Sequence, residues 1–441
     1  MVRTRTYLFG LAWAAGLAAI TWLIFAGIAA IAGRRAELAW AGAWLSFPEF
    51  RQRFPAAETN ADAARLEELA ACVGIDFTRR GEGESRRRPG GCSVAVSDAA
   101  GRYEAIRAAL IEHGRSQLAR VDDRFDPPPA EVAAWLDAQA VNLAALRDHL
   151  RAGEPRWRVD LALGYQAPLP NLLALLSLHR VLVVAGGEAQ RLGRPDEAAA
   201  WLDASLRLDA ALVERPELIS QLVSAAAARL QAGLLRRLDP PPPGRAEDLA
   251  EPDRWRSFLT AIEGEGRVHL EGDTGGALTP QGEQQALGRV LGVVSAPWTR
   301  LSLAGISRRL AGAVEALAVR DACAELPPAV TADAAELFPR WNVIGRVAWP
   351  NLTDAVRKVD RLRLDIELSG HVVALREARS RNGRWPEIGN GFPSTQCPAE
   401  RWLVRTLPGG RLEVSFSREL PPAAGPVLEL PLAATLSPPP R

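Results

Sequence analysis

The longest apolar stretch without a charged side chain lies near the amino terminus, at residues 7–33. At a rise of about 1.5 Å per residue, a helix of this length crosses a bilayer hydrocarbon core of about 30 Å with some tilt. Arg3 and Arg5 precede the stretch, and Arg34 and Arg35 follow it. The pattern predicts that the first 33 residues form a short tail and a transmembrane anchor, which makes the membrane the first predicted partner.

A cleaved signal peptide is the alternative interpretation of this stretch, because residues 30–32 read Ala-Ile-Ala, a small-residue cleavage pattern. The apolar core of a signal peptide is about 7–15 residues long, so the length favours an uncleaved anchor. The arginines on the two sides are nearly balanced in number, and those in the short tail favour a cytoplasmic amino terminus. We therefore expect a single-pass protein of the inner (cytoplasmic) membrane of a bacterial envelope, with its bulk outside the cytoplasm.

Two later apolar segments, residues 169–184 and 296–319, are interrupted by cationic side chains. The first contains Arg180 next to His179, and the second contains three arginines. Ionisable groups are costly in a lipid-facing helix, so we predict that both segments are buried or amphipathic helices of the folded body.

Residues 34–239 carry apolar positions at helical spacing, interrupted by proline and glycine, and are predicted to form a helical domain. Thr59 and Asp62 have the form of a capping box at the start of the first of these helices. Further helices are predicted at residues 98–118, 127–146, 171–190, 196–212 and 216–238.

Residues 171–213 resemble a tetratricopeptide repeat in Leu192-Gly193, in Glu197-Ala198 and in the sequence Leu-Arg-Leu-Asp at 206–209. That family stacks antiparallel helix pairs into a groove that binds peptides. The resemblance implies a helical hairpin here, with a protein partner as its expected ligand.

The remainder divides at a proline-rich segment that begins at Asp239 and ends at Gly244. Residues 240–345 are predicted to form this linker and a second helical part, with helices at 247–262, 280–294 and 298–319. Residues 346–441 change character, because a long amphipathic helix at 351–380 is followed by apolar residues that alternate with polar ones. Strands are predicted there at residues 402–407, 412–416 and 427–432, ahead of a proline-rich tail.

The end of the long helix resembles the globular domains of type IV pilins and pseudopilins over residues 351–432. The residues that carry the resemblance are Asn382, Gly383, Trp385 and Pro386, which form the turn between a helix and an antiparallel sheet in that family. The resemblance implies local helix-on-sheet packing. The predicted fold is mainly α, with a single N-terminal transmembrane helix, a helical-hairpin or bundle ectodomain and a small C-terminal α+β unit with an antiparallel sheet.

Composition argues against a nucleic-acid partner. The formal net charge is only +1, and 53 basic residues nearly balance 52 acidic ones. The basic residues are scattered along the chain, and Lys358 is the single lysine.

Four cysteines lack the close spacing of a zinc site: Cys72, Cys92, Cys323 and Cys397. An even number outside the cytoplasm allows three disulfide connectivities. A Cys72–Cys92 bridge would close the polar, glycine-rich segment between these two residues. Ordinary buried thiols are the alternative.

No sequence motif of nucleophilic, zinc-dependent or nucleotide-binding chemistry is recognisable, so no catalytic, cofactor-binding or metal-binding residue and no cofactor is predicted. The five histidines are dispersed, and a surface or satisfied core imidazole is the expected state of each. They are His113, His149, His179, His269 and His371.

Two weaker candidates remain. Residues 263–276 are predicted to be a polar loop, whose carboxylates could bind calcium, although a solvated loop fits the spacing better. Trp341, Trp349 and Trp385 surround the long helix and either line a pocket or serve as core anchors, and we expect the latter.

These observations favour a non-enzymatic interaction or scaffold protein of the membrane. An accessory component of a secretion or pilus-type assembly is the alternative, based on the pilin resemblance. An enzyme with an unrecognised site is the second alternative.

Overall fold

The computed structural model describes residues 2–40, 47–77, 92, 96–161, 163, 167–251, 253–271, 285–389, 391–420 and 431–438. Within these ranges, only the backbone is described for residues 2–12, 47–48, 96, 269–271 and 285–292. The described chain is mainly helical and ends in a small antiparallel sheet, as the sequence predicts.

The helices follow the apolar periodicity closely in the first half of the chain. They are α1 (Val2–Trp40), α2 (Phe47–Arg53), α3 (Ala61–Cys72), α4 (Val96–Ala119), α5 (Ala130–Ala138), α6 (Ala140–Ala152), α7 (Leu172–Arg191), α8 (Pro195–Val213) and α9 (Leu218–Leu235). The second half contains α10 (Arg245–Ala250), α11 (Arg254–Glu271), α12 (Gln285–Ala318), α13 (Pro328–Thr331), α14 (Ala334–Leu337), α15 (Val343–Ala348) and α16 (Leu352–Asn382).

Local signals shift some of the predicted boundaries. Asn60 caps α3 in place of Thr59, because its side-chain oxygen accepts the Ala63 N–H at 2.9 Å. The two helices predicted at 280–294 and 298–319 are one helix, α12, which continues through Pro297.

The apolar amino-terminal helix is present, and the long helix α12 runs parallel to its second half. Trp22 Nε1 donates to Val293 O at 3.3 Å, and Trp40 Nε1 donates to Ser307 Oγ at 2.9 Å. Residue numbers rise together along the two helices, which shows their common direction. Trp22 and Trp40 are eighteen residues apart, so both lie on one side of α1, and apolar side chains on its other sides are exposed.

Helix α11 corrects the loop predicted at 263–276 over residues 263–271, since it continues to Glu271, and residues 272–276 lie outside the described part. Gly264 and Gly266 suggested a loop, but each lies where another element approaches the helix. A Cβ on Gly264 would lie 2.7 Å from Pro216 O, and one on Gly266 would lie 2.3 Å from Trp40 Cζ2. The glycines therefore mark close packing, and Trp40, 2% exposed, is a core residue rather than an interfacial one.

Helices α7, α8 and α9 form an antiparallel array at the centre of the main apolar core. That core includes residues from both sides of the proline-rich segment at 240–244, from Trp40 to Val373. The resemblance of α7 and α8 to the tetratricopeptide family stays a prediction.

Helix α16 joins this core to the carboxyl-terminal sheet. Its buried Asp365 accepts a hydrogen bond from Arg229 of α9 at 3.2 Å and one from Arg236, the residue after α9, at 3.3 Å. The helix ends where predicted, because Gly383 adopts a left-handed conformation with φ +69° that other residues rarely take.

The sheet is antiparallel, in the order β1 (Phe392–Pro393), β2 (Arg401–Leu407), β3 (Arg411–Phe416) and β4 (Ala433–Leu436). Strands β2 and β3 match the predicted hairpin. Of the strand predicted at 427–432, residues 427–430 lie outside the described part, residues 431 and 432 are not in a strand, and the strand that pairs with β3 begins at Ala433.

The described chain contains two disulfide bonds. The predicted Cys72–Cys92 bridge is confirmed, and Cys323–Cys397 ties the segment after α12 to the sheet.

Candidate functional site

The most exposed apolar surface is that of α1. Three helices among the described residues are long and apolar enough to cross a membrane, and they differ sharply in burial. In the α1 candidate, Trp13–Trp40, 6% of the residues of its apolar 18-residue window are buried. In Leu172–Arg191 of α7 and in Leu218–Leu235 of α9 the corresponding share is 72%. The exposed apolar side chains of α1 include Trp13, Leu17, Ile20, Leu23, Ile24, Ile28 and Ile31.

An open cleft of about 600 Å³ lies on the body between the segment after α2, residues 153–159, the end of α8 and α11. The first two segments are extended and pair at Ala57 and Val159, whose backbones exchange hydrogen bonds of 2.9 and 3.0 Å. Trp157 contributes an apolar surface, and the extended backbone forms one rim.

The cleft has one buried charged side chain, which is held by the protein itself, and other charged side chains that are exposed. Arg215, 4% exposed, donates to Glu217 at 2.7 Å and to the Arg158 carbonyl at 3.3 Å, which fixes the wall. Exposed Arg207 and Glu214 line the same cleft. Neither of them forms an ion pair within the described chain, so both remain available to a ligand.

A second polar group lies inside the helical core. His179 Nδ1 is 2.9 Å from Ser205 Oγ, and Gln231 Nε2 donates to the same oxygen at 3.1 Å. One turn further along α8, Asp209 accepts from Arg254 at 2.7 Å. Ser205 and Asp209 are four residues apart, so both project from one face of α8.

This polar cluster is sealed. His179, Ser205 and Asp209 are each 0% exposed. Burial lowers the pKa of His179 to about 4, so its imidazole is neutral at pH 7. Four buried atoms of the cluster lack a hydrogen-bond partner within the described residues: His179 Nε2, Asp209 Oδ1, Gln231 Oε1 and Arg254 Nε. The contact of a hydroxyl with an imidazole resembles a nucleophile–base pair, but catalysis would also require a route for substrate.

The other histidines are separate from this cluster. His149 Nε2 lies 2.9 Å from the Asp62 carbonyl, and His371 stacks on Phe392 with ring centroids 4.4 Å apart. Burial lowers the pKa of His113 and of His371. The side chain of His269 lies outside the described residues.

Two of the acidic residues proposed for calcium, Glu263 and Glu265, are engaged within the protein, whereas the side chain of Glu271 and all of Asp273 lie outside the described residues. Glu263 accepts from Arg267 at 2.8 Å, and Glu265 accepts the backbone N–H of Leu218. Burial raises the pKa of both carboxyls. Across the described part of the chain, no three His, Cys, Asp or Glu side chains converge on a metal position.

The three tryptophans near α16 have different surroundings. Trp349 packs edge-on against Phe338 at 5.6 Å, and Trp385 lies 4.7 Å from the Arg379 guanidinium. Trp341 is 48% exposed. Two of them anchor packing as expected, whereas Trp341 lies at the surface.

Neither the cleft nor the buried cluster was predicted from the sequence. The cluster had a faint signal, since His179 interrupts an apolar helix and the Ser205–Asp209 spacing is helical. The cleft had none, because its walls come from four separate segments. Comparison with protein-family models, curated proteins and solved structures finds no match to this chain.

Proposed function

We propose that the protein is a membrane-anchored interaction protein, in which α1 crosses the inner membrane once and the helical body binds a partner. The observation that carries the proposal is the low burial of α1, 6% against 72% for the two other apolar helices. Apolar surface costs roughly 25 cal/mol for each Å² left in water, so a surface of this extent favours contact with another apolar phase. The hydrocarbon core of a bilayer is such a phase, and the length of α1 matches its thickness.

A single crossing is favoured by the surroundings of the other two candidates. Leu175 and Leu182 of α7, and Ala228 and Leu235 of α9, are at most 1% exposed in the apolar core. Moving either helix into lipid would remove these side chains from their packing and expose the polar cluster around His179.

An extracytoplasmic body is supported by the two disulfides, because such bonds persist mainly in oxidising compartments. The arginines at positions 3 and 5 agree with an amino terminus that remains in the cytoplasm.

The partner proposed for the cleft is an extended segment of another protein. The cleft combines an apolar floor with exposed charges of both signs, and its extended rim resembles surfaces that bind peptide backbones. The resemblance of α7 and α8 to a peptide-binding repeat supports the same class of ligand.

Membrane fractionation tests the anchor. Ile20 and Ile24 are 56% and 60% exposed on α1, so replacing both by arginine should leave the body folded and release the protein from carbonate-washed membranes. The control replaces Val141 and Leu173, which are 78% and 76% exposed on the body, by arginine and should stay membrane-bound. Equal retention of both variants would contradict the anchor.

Thiol labelling tests the side. All four native cysteines are disulfide-bonded, so Val141→Cys introduces a unique thiol. A membrane-impermeant maleimide should label it in intact cells as strongly as in permeabilised ones. Labelling only after permeabilisation would place the body in the cytoplasm.

Photo-crosslinking tests the cleft. A benzoylphenylalanine at exposed Ala210 should give an adduct of defined mass in native membranes, and one at Val141 should not. Arg207→Glu should abolish the Ala210 adduct, whereas the same change at exposed Arg405, on the sheet, should not. Identical adducts from both positions would count against the cleft.

A role in a secretion or pilus-type assembly is the second candidate, favoured by α16 ending at Gly383 before an antiparallel sheet. This role predicts that pilin-like subunits co-purify with the protein from detergent-solubilised membranes. Replacing Asn382 and Gly383 by alanine should remove them and leave the crosslink at Ala210 intact.

A further inference from the structure

Beyond α1, exposed large apolar side chains gather at two neighbouring places on the body. Val293 and Val294 of α12 are 62% and 60% exposed. At and around α15, Trp341, Val343 and Val347 are 48%, 55% and 80% exposed. Contiguous apolar patches of this kind mark surfaces that contact a partner or a lipid phase.

The depth of the α12 valines follows from their contact with α1. The Trp22 indole donates to the Val293 carbonyl, so Val293 is level with Trp22. Trp22 lies eleven residues inside the end of the apolar stretch at residue 33, which is about 16 Å along the helix axis. If α1 crosses the bilayer, α12 enters it beside α1.

Helix α15 lies nearer to the expected membrane surface. Trp298 Nε1 donates to the Trp341 carbonyl at 3.2 Å, and Trp298 is five residues, or about 7 Å, closer to the body than Val293. Tryptophan is enriched at the boundary between lipid tails and headgroups. By the same rise per residue, the Trp341 carbonyl lies about 9 Å inside the end of the apolar stretch, nearer to the headgroups than Val293.

Cationic side chains accompany this apolar surface. Arg300, Arg340 and Arg346 are exposed, and none of them forms an ion pair with a carboxylate in the described ranges. Arginine near a bilayer surface attracts anionic headgroups, with about 1 kcal/mol per residue. Exposed apolar side chains bordered by arginines complement a membrane leaflet that contains anionic phospholipid.

We infer that the body itself enters the membrane as a second contact: residues 293–298 of α12 lie in lipid beside α1, and the segment 341–347 lies among anionic headgroups. This inference rests on the proposed anchor. The α12 contact is about 9 Å long, too short to cross. Its helical backbone satisfies its own hydrogen bonds except at Val293 O, to which the Trp22 indole donates because Pro297 has no N–H. The anchor and this second contact together fix the orientation of the body, and with it the cleft, relative to the membrane.

Depth-dependent fluorescence quenching of the full chain in vesicles tests the inference. Single cysteines at Val294, Val347, Ile24 or Val319 would carry an environment-sensitive fluorophore in phosphatidylglycerol–phosphatidylcholine vesicles. Quenching by lipids with a deep doxyl group is expected at Val294 and Ile24, and quenching by a shallow doxyl group at Val347. Val319, 90% exposed just beyond the other end of α12, should respond only to aqueous iodide.

The same set separates the two proposals. Lipid quenching at Ile24 with iodide quenching at Val294 and Val347 would overturn the inference and leave the anchor intact. Iodide quenching at Ile24 would overturn the anchor itself. Protection of Val294 from both quenchers, with disulfide crosslinking between copies, would show that a second copy covers the face and would overturn the lipid contact.

Charge reversal tests the headgroup contact. In the double variant Arg340→Glu with Arg346→Glu, the ratio of membrane-contacting to water-exposed probe at Val347 should fall by about fivefold or more for each arginine. Quenching of the probe at Ile24 should not change. The control is Arg381→Glu, an exposed arginine at the end of α16. Pure phosphatidylcholine vesicles should abolish the difference, and its persistence there would contradict recognition of anionic lipid.

Discussion

At the scale of single residues, two glycines determine how closely α11 approaches its neighbours. The obstacle at Gly264 is the backbone oxygen of Pro216, which cannot rotate away, whereas the obstacle at Gly266 is an indole ring. The sequence marks both glycines as helix breakers, because glycine weakens a helix by about 1 kcal/mol relative to alanine. The tertiary contact explains why that cost is tolerated here.

Replacing Gly264 by alanine should therefore destabilise the protein. The added Cβ would lie 2.7 Å from Pro216 O, so we expect a loss of about 1–3 kcal/mol in the free energy of unfolding. Gly312→Ala in α12, which meets nothing within 4 Å, should instead be neutral or stabilising by up to about 1 kcal/mol. Denaturant unfolding in detergent compares the two, and a loss of equal size in both would contradict the packing argument.

The buried histidine gives a prediction for pH. Burial lowers the pKa of His179 to about 4 in the folded state, against 6.5 for an exposed imidazole. Between these values the unfolded chain binds more protons than the folded one, so stability falls as pH drops. From pH 7 to pH 5 this histidine should contribute a loss of about 2 kcal/mol.

His179→Gln removes the titration and retains a polar side chain beside Ser205. We expect the variant to lose about 2 kcal/mol less than the unmodified protein between pH 7 and pH 5, measured by unfolding at each pH. Other groups titrate in both proteins, so the difference isolates His179. A pH dependence that is identical in the two proteins would show that the imidazole is not buried neutral.

At the scale of elements, some helices were predictable from local signals, whereas the single helix predicted at 127–146 is two helices, α5 and α6. Helices α7 and α8 match the predicted ranges 171–190 and 196–212 within about two residues, because their spacing and caps are local signals. The predictions failed where a distant element decides, as at the start of β4, whose register is set by pairing with β3.

The Cys323–Cys397 bridge connects two elements that are far apart in the sequence, because it closes a loop with a sequence separation of 74 residues. In the chain-entropy estimate, replacing both cysteines by alanine costs about 4 kcal/mol of stability, against about 3 kcal/mol for Cys72–Cys92 with its separation of 20. Denaturant unfolding of the two double variants measures the order. A larger loss at Cys72–Cys92 would contradict the entropic account.

At the scale of the whole molecule, Trp40 connects the exposed apolar part of α1 to the body. Its indole donates to Ser307 and covers Gly266 of α11, so three helices meet at one side chain. This contact lies seven residues beyond the apolar stretch, where α1 is already part of the core. Helix α1 and the body are therefore expected to behave as one rigid unit.

Trp40→Ala should loosen this junction at a cost of about 3–5 kcal/mol. Hydrogen exchange in vesicles should accelerate in α11 near Gly266 and in α12 near Ser307. Trp13→Ala, which removes a 61% exposed indole from the same helix, should leave both regions protected. Unchanged exchange in the Trp40 variant would show that the junction is held elsewhere.

The sequence by itself determined the apolar amino-terminal helix, the helical character of the body and the hairpin of β2 and β3, because each depends on signals within a few turns of chain. It offered the Cys72–Cys92 bridge beside buried thiols, and the structure contains the bridge. The tertiary structure alone decided which apolar helices are covered, where the polar side chains of α7, α8 and α11 meet, and which segments enclose the cleft. Burial and proximity are properties of the whole packed chain: α1 and α7 read alike as apolar helices, and only packing separates a surface that lipid can cover from a core.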